Sequence, residues 1–243
     1  MNMKKLSVLL LALFSGLIIR AQQVNDPNAE VREAKAYHGI KVSNAFDVYL
    51  TQSTDEGVAV SASETKYREK IKVEVKDGIL NVWYDNEGKW STGNKKLKAY
   101  ISFKQIDQLT INGACDVYIS GILKSKDLTI KLTGASDLKG TSGGGKFQID
   151  GELNIDLSGA SDMNLTGTAE KLSIEASGAS SFKGFEFVTN YCDAHATGAS
   201  DITITVNKEL SAHATGASDV HYKGDGVIRD IKTSGASSVS KRG

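Results

Sequence analysis

Thr133-Gly134-Ala135-Ser136-Asp137 and Ser158-Gly159-Ala160-Ser161-Asp162 are two copies of one phrase, and it returns through the second half of the chain. The other copies are Asn112-Gly113-Ala114-Cys115-Asp116, Ser177-Gly178-Ala179-Ser180-Ser181, Thr197-Gly198-Ala199-Ser200-Asp201, Thr215-Gly216-Ala217-Ser218-Asp219 and Ser234-Gly235-Ala236-Ser237-Ser238. The glycines at 113, 134, 159, 178, 198, 216 and 235 are spaced by 21, 25, 19, 20, 18 and 19 residues. A period this short and persistent belongs to repeat architectures, whose units cannot bury an apolar face alone and must stack on a neighbour.

Around each glycine the residue types alternate. Two and four positions before it stand apolar pairs such as Leu109/Ile111, Ile130/Leu132, Ile155/Leu157 and Ile174/Ala176, separated by Thr110, Lys131, Asp156 and Glu175. Four positions after it come Val117, Leu138, Met163, Phe182, Ile202, Val220 and Val239. Strict alternation is the period of a strand with one buried face. The pattern predicts an all-β fold, specifically a parallel β-solenoid: a right-handed β-helix of about 18–25 residues per coil with an irregular N-terminal β cap. Glycine is expected where the backbone needs a left-handed angle or a close approach, and the alanine after it where only a methyl group fits. Like residues should stack into columns. Toward the end of the chain Ala194/Ala196 and Ala212/Ala214 thin the core, so Phe185, Phe187 or Tyr222 must fill the space.

The rest of the chain frames this region. Lys4-Lys5 precede the apolar run from Leu6 to Ile19, and Ala21 ends a cleavage-type sequence, so residues 1–21 read as a secretory signal peptide. Residues 22–36 are polar and read as a flexible segment, and 37–243 as one β domain whose regular copies occupy 106–240. Removing the signal leaves 26 basic residues (29 minus Lys4, Lys5 and Arg20) against 29 acidic ones. That balance favours neither nucleic acid nor an anionic membrane as a partner, and no membrane insertion is expected after cleavage. Export would permit a disulfide between Cys115 and Cys192, the two cysteines, but they fall several coils apart and read as small apolar fillers.

Between signal and repeats, Ile40–Leu50 echoes Ile111–Ile119, with Asn44 in the glycine slot; asparagine tolerates the left-handed region better than most residues. Residues 58–62 read as a strand and 64–70 as a short helix or loop. Ile71–Val75 and Ile79–Tyr84 read as a hairpin turning at Asp77-Gly78, and Leu97–Phe103 as a further strand. The early Ile-x-Val-x-Asn-Ala-Phe-Asp-Val-Tyr-Leu segment, the strand meander and the serial Ser/Thr-Gly-Ala-Ser-Asp phrases together resemble the bacterial DUF2807 family, the auto-transporter adhesin head or head GIN domain. The resemblance covers roughly 37–240. It implies a secreted β-helical protein with no established catalytic residues to carry over.

Four groups of residues invite a functional reading. Asp116, Asp137, Asp162, Asp201 and Asp219 form a column that calcium could bridge, but its exchange with Ser181 and Ser238 favours carboxylates accepting backbone N–H bonds at their corners. The column Thr110, Lys131, Asp156, Glu175, His195, His213, Lys232 places an acid and two histidines on successive copies; its mixed charge favours cross-strand ion pairs over a transition metal. Aromatics Tyr37, Tyr49, Trp83, Tyr84, Trp90, Tyr100 and Tyr118 could form a sugar or protein platform, with Trp90 the best placed for exposure, although buried cap packing accounts for most of them. Catalysis would appear as a cluster breaking the repeat, and none stands out, so no catalytic residue, cofactor or metal is assigned. The expectation is an exported, non-enzymatic surface or periplasmic protein, an adhesin-type module meeting a glycan or protein ligand along a repetitive face. The alternatives are a carbohydrate-active enzyme on a β-helix scaffold and a purely structural envelope protein.

Overall fold

The computed structural model describes residues 26–86 and 94–243, so the signal peptide expected over 1–21 and Trp90 lie outside the described residues. In chain order the strands are β1 (Glu30–Arg32), β2 (Gly39–Asn44), β3 (Phe46–Gln52), β4 (Gly57–Ser61), β5 (Ile71–Lys76), β6 (Ile79–Tyr84), β7 (Leu97–Phe103), β8 (Gln108–Gly113) and β9 (Asp116–Ser125). There follow β10 (Leu128–Gly134), β11 (Asp137–Leu157), β12 (Asp162–Asn164), β13 (Thr166–Ala176), β14 (Ser181–Gly198), β15 (Asp201–Gly216), β16 (Asp219–Lys223), β17 (Val227–Gly235) and β18 (Ser238–Lys241). One short helix, α1 (Thr65–Arg68), interrupts them.

The chain is all-β, but the expected solenoid is corrected by the way the sheet closes. Parallel pairings run from β2 to β8, β10, β11, β9 and β3, and β3 is joined back to β2 through Ala45. These six strands form a closed parallel barrel, and the remaining strands lie outside it. Two further features depart from uniform coils. β11 runs unbroken for 21 residues and pairs with four other strands, and the register slips between Ile149 and Glu152 and between Gly184 and Val188. At the N-terminal side β1, β4 and β7 pair antiparallel, as do β5 and β6. The reason the sequence misled is physical. Period-2 alternation specifies which face of a strand is buried and favours in-register parallel neighbours, and a barrel satisfies both conditions as well as a coil does.

Face assignments follow the alternation. Ile40, Val42, Val48, Leu50, Leu109, Ile111, Val117, Ile119, Ile130, Leu132, Leu153 and Ile155 are all buried inside the ring. Among the three candidates for filling the alanine-lined end, Phe187 and Tyr222 are buried with Phe182, whereas Phe185 is half-buried under the Lys223 ammonium. The Asp77-Gly78 turn has positive φ at both residues, 52° and 74°, as the twist of a tight hairpin demands. Asn44 takes φ 87° opposite Gly113 in the parallel register, so it occupies the glycine slot as expected.

The repeated phrase is a stacked arch, and its parts play different roles from those anticipated. Each alanine N–H donates to the carbonyl of the preceding copy's glycine at 2.7 Å, from Ala135 to Gly113 through Ala236 to Gly216. The alanines 114, 135, 160, 179, 199 and 217 are exposed, so the methyl group is not confined by space. The serine is the buried member: Ser136, Ser161, Ser200 and Ser218 have no accessible surface. The Ser200 and Ser218 hydroxyls lie 2.8–2.9 Å from two carbonyls each, Ala176 and Thr197 for the first, Ala196 and Thr215 for the second. A buried hydroxyl left unbonded would be costly, and this one ties its own arch to the copy before it. Cys115 takes the slot in the first copy, its Sγ 3.6 Å from the Asn44 carbonyl.

Candidate functional site

Along the outer faces, side chains two residues apart on a strand stand in columns that cross the sheet. The acidic column is present and begins one strand earlier than the phrase itself: Lys98, Asp47, Asp116, Asp137 and Asp162 are register partners in turn. Burial and then the neighbouring Asp116 carboxylate raise the Asp47 pKa, against the pull of Lys98. Lys139 Nζ bonds Asp137 at 2.7 Å and lies 3.9 Å from Asp116, and the Asp137 bond raises the lysine's own pKa. Ser238 donates its hydroxyl to Asp219 at 2.5 Å. Asp116, Asp137 and Asp219 therefore meet lysine and serine side chains, where backbone N–H partners were expected. Among the described residues, no group of three or more His, Cys, Asp or Glu is placed to hold a metal ion.

The mixed column also forms, with Thr110, Lys131, Asp156, Glu175, His195, His213 and Lys232 paired in register. Lys131 and Asp156 approach to 3.4 Å. The His195 and His213 rings meet edge to face at 4.7 Å, and each finds a carboxylate in the adjoining column: Asp193 at 3.1 Å and Asp230 at 2.9 Å. Each imidazole is thus engaged by its own acid, His195 by a residue of its own strand and His213 across to β17, whereas the pairing the alternation predicted, within the column itself, is made by Lys131 and Asp156.

Beside this column runs an open groove of about 760 Å³ that the sequence reading missed. Its floor is Leu172 and Cys192, and its polar wall is the register line Glu152, Lys171, Tyr191, Glu209, closed by Arg229 at 3.3 Å from Glu209. Lys208 lies over the Tyr191 ring at 5.2 Å. The groove crosses β11, β13, β14, β15 and β17, so its length is set by strand spacing, roughly 19 Å over four steps. It offers carboxylate, ammonium, guanidinium, phenol and hydroxyl groups within one open depression, a hydrogen-bonding surface for a polyhydroxylated chain. The signal was present in the sequence as Glu152, Lys171, Tyr191 and Glu209, each seven residues before its glycine, but no residue type repeats there to mark the position.

The aromatics separate into two groups. Tyr100, Tyr49 and Tyr118 stack across β7, β3 and β9 with centroids 5.0 and 5.3 Å apart, so most of their ring faces are occupied by one another. The Tyr100 hydroxyl bonds Asp26 at 2.9 Å, and Tyr37, fully inside, donates to the Ser102 carbonyl at 2.7 Å. Trp83 remains half-exposed in a smaller groove of about 420 Å³ with Lys41, Glu74 and Asn81. Cys115 and Cys192 are free and buried, and burial pushes both thiol pKa values up.

The model of the DUF2807 family, described as "Putative auto-transporter adhesin, head GIN domain", matches residues 36–226. The chain belongs to this family. The matched span holds the arches from Gly113 to Gly216 and the acidic column from Asp47 to Asp219, and an adhesin-named family points to an exported protein. Among the described residues, no helix is long and apolar enough to cross a membrane. Solved structures share the DUF2807 chain's fold. A "putative adhesin" of Bacteroides fragilis superposes with a TM-score of 0.78 at 22% identity, over 88% of this chain and 96% of that one. A "putative lipid binding protein" of Parabacteroides distasonis gives 0.65 at 21% identity, over 90% and 98%. A "putative adhesin" of Parabacteroides merdae gives 0.64 at 16% identity, over 88% and 95%. A search of curated proteins finds no match.

Proposed function

We propose that this DUF2807 chain is an exported, non-enzymatic adhesin-type module that holds an extended glycan in the groove of Glu152, Lys171, Tyr191, Glu209 and Arg229. The observation that carries the reading is the groove's construction: Glu152, Lys171, Tyr191 and Glu209 stand in register on four successive strands, and Arg229, at a register shift on a fifth, reaches Glu209. Such a surface contacts a linear ligand many times, each contact weak and their sum appreciable. The half-exposed Tyr191 ring supplies an apolar face, and the flanking charges supply hydrogen bonds that fix orientation. The family's adhesin label supports the same reading.

The test is a screen of the purified protein against an array of bacterial and host glycans, followed by titration of any hit. Tyr191→Ala and Lys171→Ala should each weaken the best hit by roughly tenfold, with an unchanged thermal midpoint. Retention of no glycan, or hits indifferent to both substitutions, would refute the groove as the binding site. Protease removal of a C-terminal tag from intact cells, against a periplasmic marker, tests whether the module faces outward.

A further inference from the structure

We propose that two copies of this chain join edge to edge through β17, antiparallel about a two-fold axis at Ile231. Among the described residues β17 has a register partner on one side alone, β15, so its other edge offers unpaired N–H and C=O groups. The strand also ends the core openly. Ile228 and Ile231 continue the buried columns of Leu210 and Ala212, yet they are 45% and 38% exposed, with no strand among the described residues paired beyond them. An exposed apolar strand edge invites a further strand, and natural proteins guard such edges with lysine.

Here the guard is self-complementary. Asp230 and Lys232 lie on the outer face, opposite Ser211 and His213, with Ile231 between them on the inner face. Running β17 antiparallel against itself with Ile231 facing Ile231 places Asp230 opposite Lys232 of the partner subunit, and Lys232 opposite Asp230 of the partner subunit. Both cross-strand pairs are then oppositely charged, and the two isoleucines cover each other. A parallel arrangement would face lysine with lysine, and any register shifted by two residues would leave the charges unmatched. The contact is isologous, so it closes at two copies and does not propagate.

Sedimentation of the exported protein at rising concentration reads the assembly, with twice the mass of its single chain expected. Asp230→Lys and Lys232→Asp each set like charges opposite one another and should weaken the dimer roughly tenfold or more. The double swap D230K/K232D restores both pairs and should return the affinity to within about threefold of the original, which separates an interface effect from a folding defect. Ile231→Cys should form an intermolecular disulfide on mild oxidation, since residues facing across an antiparallel pair stand about 4.5–5.5 Å apart at Cα. Cys115 and Cys192 are buried and do not interfere. A monomer at all concentrations, an open-ended polymer, or a dimer unmoved by the single reversals overturns the proposal. So does a monomer whose β17 amides are protected from hydrogen exchange, which would show another stretch of the chain covering the edge.

Discussion

Replacing Gly134 with alanine tests the close approach within the stacked arch. Gly134 sits at φ +95°, and a Cβ there would stand 2.2 Å from the Gly113 carbonyl oxygen. That oxygen accepts the Ala135 N–H at 2.7 Å, and Gly113 is itself packed on Asn44, so the obstacle is backbone held on both sides. Two costs add. A left-handed angle costs a non-glycine residue about 1–2 kcal/mol. Forcing a methyl group against a fixed neighbour costs about 1–3 kcal/mol more. Gly121 separates them: its φ is +74° and a Cβ there would meet nothing within 4 Å. Gly121→Ala should therefore lose only the conformational part. For a chain of this size 1 kcal/mol moves the thermal midpoint by about 2–4 °C. Differential scanning calorimetry should then place Gly134→Ala lower than Gly121→Ala by roughly 2–12 °C. Equal midpoints for the two variants would refute the close-approach argument and leave the angle as the sole reason for glycine.

Other outcomes follow from the same geometry. Ser200→Ala removes a buried hydroxyl from two carbonyls at 2.9 Å and should cost about 1–3 kcal/mol in chemical denaturation. Cys115→Ser should cost less, because the slot takes serine in the other copies and the Asn44 carbonyl already lies beside it. Asp47→Asn should raise the thermal midpoint at pH 7. The folded-state pKa of Asp47 is raised, so its contribution is most favourable below the unfolded value of 3.8 and is lost as pH rises through the folded value. The gain from asparagine should vanish when melts are repeated near pH 3, and a gain that persists there would sink the electrostatic account. Neither thiol should react with Ellman's reagent in the folded protein, and two per chain should react in denaturant; rapid labelling of the native state would contradict the burial of Cys115 and Cys192.

Much of the outer surface was legible from the chain. The mixed column from Thr110 to Lys232 formed in register, with Lys131 and Asp156 paired as their charges suggested. The histidines were placed side by side, but their acids, Asp193 and Asp230, come from the neighbouring column five residues before each glycine, where they alternate with Ser173 and Ser211 and no single residue type marks the position. The binding groove escaped for the same reason. Its line of Glu152, Lys171, Tyr191 and Glu209 keeps one offset, seven residues before each glycine, but it mixes acid, base and phenol, so nothing in residue type marks it as a column.

By itself the sequence determined the face of each strand, because side chains alternate with period 2 and a one-residue slip would expose every aliphatic residue of Leu109–Ile111 or Ile130–Leu132 at once. It also determined where the backbone must turn left-handed, since Gly113, Gly134 and their successors recur at the sites that require it, and Asn44 stands in where they do not. Tertiary structure alone decided that six parallel strands close into a barrel with the others outside. It also decided that the serine of each phrase points inward while the alanine faces solvent. These depend on contacts between residues some 20 to 70 positions apart, such as Ser136 with Gly113 and Asn44 with Gly113. A local pattern states what a residue needs for a neighbour; only the folded chain states which neighbour supplies it.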